Sequence, residues 1–132
     1  MKPDLDIESK VIENFVIESK RDRYLTFVKK SKTRKKFINE LAHFSSQLDR
    51  FDEIKKNEWN VINQKLDRLN KITDCYVISE NREIDGKRMK VDQALSETIG
   101  MGMGTLIVFG NAEVVFYEGE GPSDRWIKEM KK

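Results

Sequence analysis

The chain has 132 residues, of which 38% are hydrophobic and 36% are charged, a size and composition typical of one small domain. No apolar run approaches the ~18 residues that a membrane-spanning helix needs, and Met1–Asp6 lacks the apolar stretch of a secretory signal. Cys75 is the only cysteine, which excludes an internal disulfide. We therefore expect a cytoplasmic protein with no membrane partner.

The charge of the chain is unevenly distributed. The net charge is +2, yet residues 20–36 hold nine Lys or Arg side chains against one acid, Asp22. This segment carries +8, so the other 115 residues together carry −6. Such asymmetry indicates an acidic partner, which is nucleic acid, another protein, the acidic half of the same chain or a second copy of it.

Two helices are predicted before residue 31. Ile7, Val11 and Phe15 recur at helical spacing and indicate a first helix over about 5–18. The run Ser19–Asp22 (Ser-Lys-Arg-Asp) resembles a capping box with Asp in place of the usual Glu. A second helix is therefore expected from this run to about Lys30.

Two further helical segments are predicted in the N-terminal half. A third helix is expected after Ser31-Lys32-Thr33, with either hydroxyl as its N-cap, and should end near Ser45. That start places Arg34, Lys35 and Lys36 in the first turn of the helix. A fourth helical region is expected from about Phe51 to Ile72, where the apolar residues share one helical face.

The C-terminal half is richer in strand signals. Residues 75–79 are apolar and β-prone and predict a strand, and the charged loop that follows contains Asp85-Gly86, a tight-turn dipeptide. Val91–Gly100 predicts a short helix that ends at its glycine. Thr105–Phe109 and Val114–Tyr117, separated by a turn, predict a β-hairpin whose strands are covered on both faces, since neither alternates with polar residues. Asp124–Lys131 suits a helix or an edge strand, and a strand is favoured.

These elements predict an α/β fold, with α+β as the alternative. A small mixed sheet of three to four strands, in β-α-β-β order, would lie in the C-terminal half under helices from the N-terminal half. We expect a single domain over 1–132, with a helical portion over 1–72 and a β-α-β-β portion over 73–132.

The predicted order also sorts the polar residues. If strands 75–79 and 105–109 are neighbours, they should be parallel and joined by a right-handed crossover. One end of the sheet would then carry Glu80 and Asp85. The other end would carry Asp74, Glu118 and Glu120.

No sequence pattern assigns a catalytic residue. The glycine run Gly100–Gly104 follows a helix and precedes a strand, whereas phosphate loops precede a helix, so it predicts a C-cap and close backbone packing. Two carboxylate sets are candidates for a metal or acid–base site: Asp74, Glu118 and Glu120, and Glu80, Glu83 and Asp85. With 23 acids in the chain such clusters arise by chance. A hydrolase is therefore the least favoured function, and neither a metal nor a cofactor is expected.

The basic segment favours a non-catalytic binding module. The cations at the predicted helix starts lie where the helix dipole disfavours positive charge and where free N–H groups favour anions. We predict that they contact an acidic partner, with nucleic-acid phosphates first among the candidates. The predicted contact residues are Lys20, Arg21, Arg23, Lys32, Arg34, Lys35 and Lys36. The alternative is a protein–protein or self-association module, including a homodimer.

Overall fold

A computed structural model describes residues 3–49, 51–53, 64, 67, 74–121 and 124–129 of the chain. The helices of the N-terminal half are Leu5–Phe15 (α1), Glu18–Val28 (α2) and Ser31–Asn39 (α3), followed by 3₁₀ turns at Leu41–His43 and Ser45–Gln47. The strands are Asp52–Glu53 (β1), Asp74–Ser79 (β2), Arg88–Lys90 (β3), Thr105–Phe109 (β4), Val114–Glu118 (β5) and Arg125–Glu129 (β6), and helix Val91–Thr98 (α4) lies between β3 and β4. None of the described helices is long and apolar enough to cross a bilayer.

Helix α1 has a side-chain cap and an apolar face. The Asp4 carboxylate accepts a hydrogen bond from the Ile7 N–H at 3.2 Å and so caps the first turn. Ile7 and Phe15 are buried on the core side of the helix. The helix ends at Phe15, three residues earlier than predicted, because Val16 is already extended.

Helix α2 begins without the predicted capping box. Ile17 is its N-cap residue, and no side chain caps the helix, so the assignment of Ser19–Asp22 as a box is wrong. The chain is instead held where it enters the helix by the Ile17 N–H, which donates to the Gln47 carbonyl at 2.9 Å.

Helix α3 begins at Ser31, earlier than predicted, and it too lacks a side-chain cap. Thr33 is not its cap because it is the third residue of the helix, and its hydroxyl donates to the Phe27 carbonyl near the end of α2 at 2.7 Å. The first turn of α3 therefore comprises residues 31–34. Two of the three cations expected in that turn, Lys35 and Lys36, lie in the second turn.

The predicted fourth helix falls largely outside the described residues. Its expected start near Phe51 is wrong, because Asp52–Glu53 pairs with β6 as a short strand. Gln64 and Asp67 are helical, in agreement with the prediction. Residues 54–63, 65–66 and 68–73 lie outside the described part of the chain.

The described strands form one sheet in the order β1-β6-β5-β4-β2-β3. This confirms the predicted fold class, with five strands of three residues or more where three to four were expected, and with the two-residue β1 in addition. The β4–β5 hairpin and the strand assignment of β6 are also confirmed.

The parallel pairing expected between β2 and β4 is wrong. The two strands are antiparallel, with Ser79 opposite Thr105 and Cys75 opposite Phe109. The reason is β3, a short strand in the charged loop that folds back along β2 and reverses the chain before α4. The helix then returns the chain to the Ser79 end of the sheet, from which β4 runs opposite to β2.

Both faces of the central strands are covered, as the continuous apolar runs predicted. Alternate side chains of a strand point to opposite faces of the sheet. On one face, Tyr76, Leu106 and Tyr117 pack against residues of α1–α3 and the 3₁₀ turns. On the other face, Val77 and Ile107 join a second buried cluster with residues of α4.

The glycine loop between α4 and β4 serves packing, as predicted. Gly100 follows α4 with a φ of 79°, a backbone conformation that favours glycine. A Cβ atom on Gly104 would lie 2.2 Å from the backbone carbon of Leu41, so only glycine permits this close approach. Met101 and Met103, between these glycines, are exposed.

Candidate nucleic-acid interface

The predicted contact residues all lie within residues 20–36, a segment of α2, the connection and the first six residues of α3 that we call the basic hairpin. Six of the seven have exposed or partly exposed side chains, namely Lys20, Arg21, Arg23, Lys32, Lys35 and Lys36. The connection adds exposed Lys29 and Lys30. Arg34 is the exception, with 8% of its surface exposed.

Arg34 is held by two carboxylates from distant parts of the chain. Glu8 of α1 accepts from Nε at 2.9 Å and from Nη2 at 2.8 Å. Asp85 of the β2–β3 turn accepts from Nη1 at 2.6 Å and from Nη2 at 2.8 Å. Burial alone lowers the pKa of Arg34, but the hydrogen bonds to Asp85 and Glu8 outweigh burial and raise that pKa above its ordinary value. Arg34 is therefore engaged inside the protein and is not available to an external phosphate.

Further hydrogen bonds fix these two carboxylates. The Tyr76 hydroxyl donates to Glu8 Oε2 at 2.6 Å, and the Asp4 N–H donates to the Tyr76 oxygen at 2.8 Å. Burial, followed by the bond to Glu8, raises the pKa of Tyr76. The Ser79 N–H donates to Asp85 Oδ1 at 3.0 Å. Glu8, Arg34, Asp85 and Tyr76, which we call the Arg34 cluster, thus tie α1, α3, β2 and the following turn together.

The two arginines of α2 are partly engaged as well. Arg21 Nε donates at 2.8 Å to the Val16 carbonyl, just beyond the C-terminus of α1. Arg23 Nη2 lies 3.7 Å from Glu40 Oε2 at the protein surface. The Arg23 guanidinium carbon and Lys36 Nζ lie 5.4 and 5.8 Å from the centre of the Phe27 ring. Cations from both helices therefore converge on one half-buried ring.

The lysines of the basic hairpin have no carboxylate partner among the described residues. Within the described part of the chain, none of them lies within 4.0 Å of a carboxylate oxygen. These residues are Lys20, Lys29, Lys30, Lys32, Lys35 and Lys36. Their positive field is therefore directed at solvent, in contrast to that of Arg34.

A cleft with a volume of about 620 Å³ opens between α3 and the C-terminal end of β2. Five residues of α3 line it at i, i+3, i+4, i+7 and i+8 spacing, so they form one stripe of the helix: Ser31, Arg34, Lys35, Ile38 and Asn39. The facing wall consists of Pro3, Ser79, Glu80, Arg82 and Asp85. The polar stripe on α3 can be found from the helical spacing in the sequence. Arg82 lies in a turn, where no sequence pattern indicates that it lines the cleft.

The antiparallel sheet rearranges the predicted acidic sets. Glu118 lies opposite Thr105 and hence at the Ser79 end of the sheet. Asp74 is at the opposite end of β2, five residues and about 17 Å from Ser79 at the usual rise of a strand. The grouping of Asp74 with Glu118 and Glu120 at one end is therefore wrong. Its physical cause is the strand reversal at β3.

Two of the remaining carboxylates, Glu118 and Asp85, are engaged in structural contacts. Glu118 is buried, and its two oxygens accept from Arg125 Nε at 2.6 Å and from the Gly100 N–H at 2.9 Å. In the second predicted set, Asp85 belongs to the Arg34 cluster, whereas Glu83 is exposed. Among the described residues, no group of three or more His, Cys, Asp or Glu side chains is arranged to hold a metal ion.

Comparison of the chain with protein-family models, with curated proteins and with solved structures finds no match.

Proposed function

We propose that the protein is a non-catalytic module that binds nucleic-acid phosphates through the basic hairpin. The observation that supports the proposal is the set of hairpin lysines that have no carboxylate partner among the described residues. Such lysines bind a polyanion favourably, because neutralising phosphates releases condensed counterions. Contacts of this kind position the nucleic acid without reading its sequence.

The proposed contact surface differs from the predicted one by the loss of Arg34 and by the addition of Lys29 and Lys30. Arg34 is omitted because its N–H groups already donate to the carboxylates of Glu8 and Asp85. Arg23 and Lys36, which share the Phe27 ring, would form the centre of the surface. Lys29, Lys30 and Lys32 would extend it around the turn between the helices.

The salt dependence of binding follows from the number of phosphates contacted. If about five phosphates of a single strand are neutralised, the slope of log K against log salt is about −3.5. Affinity should then fall about 100-fold between 50 and 200 mM salt. Fluorescence anisotropy with a labelled single-stranded RNA of mixed sequence measures this slope.

A matched pair of variants tests the location of the contact. Lys32→Gln with Lys36→Gln should reduce the magnitude of the slope by about 1.4, since each single-strand contact contributes about 0.7. Lys87→Gln with Lys90→Gln removes the same charge from exposed positions just before β3 and at its end, outside the basic hairpin, and should leave the slope unchanged.

Two results would contradict the proposal. The first is the absence of RNA binding by the wild-type protein at 50 mM salt. The second is an equal loss of slope in the hairpin variant and in its control. Competition with polyglutamate tests the alternative that the partner is an acidic protein. Displacement of the RNA by polyglutamate at an equal concentration of negative charge would favour that alternative.

A further inference from the structure

The cleft beside α3 presents a different set of groups from the basic hairpin. Lys35 belongs to both, but the other hairpin lysines do not line the cleft. A helix that packs against a sheet usually turns apolar residues towards it. The stripe of α3 that lines the cleft is instead polar or charged at four of its five positions, the exception being Ile38.

The floor of the cleft is a hydrogen-bonded cluster of one cation and two carboxylates, with a net charge of −1. Arg34 and Asp85 are hydrogen-bonded to each other there, with Glu8 behind them and fully buried. The Ser79 N–H holds Asp85 from the sheet side. A ligand would therefore meet a preorganised surface, which lowers the entropic cost of binding.

The free charges of the cleft lie on its walls. Lys35 and Arg82 are exposed and form no ion pair with a described carboxylate. Glu80 accepts from the Gly104 N–H through Oε1 at 2.7 Å. Its Oε2 atom has no hydrogen-bond partner among the described residues and remains an acceptor. The two cations, Lys35 and Arg82, suit an anionic group of a ligand. The Glu80 carboxylate suits hydroxyl donors on the same ligand.

We propose that this cleft binds a phosphorylated ribose. The phosphate would contact Lys35 and Arg82, whose N–H donors form charge-assisted hydrogen bonds with phosphate oxygens. The ribose hydroxyls would donate to Glu80 Oε2, as ribose hydroxyls do to carboxylates in dinucleotide sites. A base or the sugar carbons would pack on Ile38. The volume of about 620 Å³ falls within the usual range for small-molecule sites.

The phosphorylated ribose has two possible sources, a free nucleotide or the end of an RNA strand. The second source rests on the proposed function, since the basic hairpin would hold the phosphates that follow the terminal nucleotide. Lys35 lies where the two surfaces meet, one turn from both Ser31 in the cleft and Lys32 on the hairpin. The same ligand chemistry applies to both sources.

Isothermal titration calorimetry with four small probes tests the site. We expect adenosine 5′-monophosphate to bind at least tenfold more tightly than adenosine, because adenosine lacks the charge-assisted contacts. It should also bind at least tenfold more tightly than inorganic phosphate, which lacks the hydroxyls. The 2′-deoxy monophosphate should bind about fivefold to tenfold more weakly, the usual effect of one lost hydrogen bond.

Three variants locate the contacts. Lys35→Gln and Arg82→Gln should each weaken binding of the monophosphate about tenfold without changing that of adenosine. Glu80→Gln keeps an oxygen for the Gly104 N–H but loses the carboxylate, and it should abolish the preference for ribose over deoxyribose. Lys87→Gln with Lys90→Gln is the control and should leave all four titrations unchanged. Equal affinities for ribose and deoxyribose in the wild type, or no heat with millimolar monophosphate, would overturn the proposal.

Anisotropy with three RNA strands of one sequence distinguishes the sources. Tighter binding of the 5′-phosphorylated or the 3′-phosphorylated strand than of the hydroxyl-ended strand, reversed by excess monophosphate, would identify an RNA end. Equal binding of all three, with monophosphate binding intact, would identify a free nucleotide. A failure of the proposed function would give a different result from both. The protein would then show no salt-dependent RNA binding, whereas calorimetry would still show binding of the monophosphate.

Discussion

Replacing Arg34 with methionine should destabilise the protein more than replacing any of the exposed lysines of the basic hairpin with methionine. The variant keeps a long side chain but leaves Glu8, which is fully buried, and Asp85 without their cation. Removal of one partner from a buried ion pair costs about 3–5 kcal/mol, because the remaining charge is uncompensated. For a chain of this length, 4 kcal/mol corresponds to a decrease in Tm of roughly 10–15 °C.

Urea denaturation followed by circular dichroism measures this loss. Lys36→Met is the matched control, since Lys36 is an exposed cation two residues away on the same helix, and its effect should stay within about 0.5 kcal/mol. Adding Glu8→Gln to the Arg34→Met variant should recover part of the stability, because it removes one uncompensated charge. A loss below about 1 kcal/mol for Arg34→Met, or no recovery in the double variant, would refute the role assigned to the Arg34 cluster.

Three further results are expected. All three tyrosines are buried, and burial raises their pKa values. Tyrosinate is therefore favoured in the unfolded state, and stability should decrease as the pH rises above about 10. Tyrosine ionisation, followed by absorbance at 295 nm, should coincide with the loss of circular dichroism, and ionisation near pH 10 without unfolding would contradict this. Burial, followed by the charge of Asp74, raises the pKa of Cys75 to about 12, so iodoacetamide at pH 8 should modify the unfolded protein and spare the native one. Gly104→Ala should lower the free energy of unfolding by about 1–3 kcal/mol in the same denaturation assay, because its methyl group would clash with the Leu41 backbone. Gly121→Ala is the control and should be nearly neutral, because the nearest atom to its methyl group would be 3.8 Å away.

The elements with strong local signals were predictable from the sequence. Apart from Thr105 and Glu118 at their ends, β4 and β5 are apolar without alternation, and every residue of both strands is buried, as predicted. Helix α4 was also predicted to within two residues of its observed C-terminus at Thr98. In these segments the period of the apolar residues and the flanking glycines determine the structure.

The strand direction depended on a signal that the sequence barely carries. Arg88–Lys90 has a charged residue at both ends and only Met89 between them, so its composition does not predict a strand. Once β3 pairs with β2, the chain is reversed and β4 must be antiparallel. One short strand therefore changes which acidic residues share an end of the sheet.

The candidate site was predictable in its composition but not in its geometry. The excess of positive charge in residues 20–36 is evident from counting. The burial of Arg34 is not, because its partners Glu8 and Asp85 lie 26 and 51 residues away in the sequence. Only tertiary packing distinguishes Arg34, which is buried between two carboxylates, from the exposed lysines beside it.

Lysine labelling tests the central claim most directly, because it reports which amines a bound nucleic acid covers. The protein is acetylated with and without saturating single-stranded RNA at 50 mM salt, and the modified positions are quantified by mass spectrometry. We predict that RNA protects Lys29, Lys32 and Lys36 and leaves Lys87 and Lys90 as reactive as before. Equal reactivity of both groups in the presence and absence of RNA would contradict the assignment of the basic hairpin as the phosphate-binding surface.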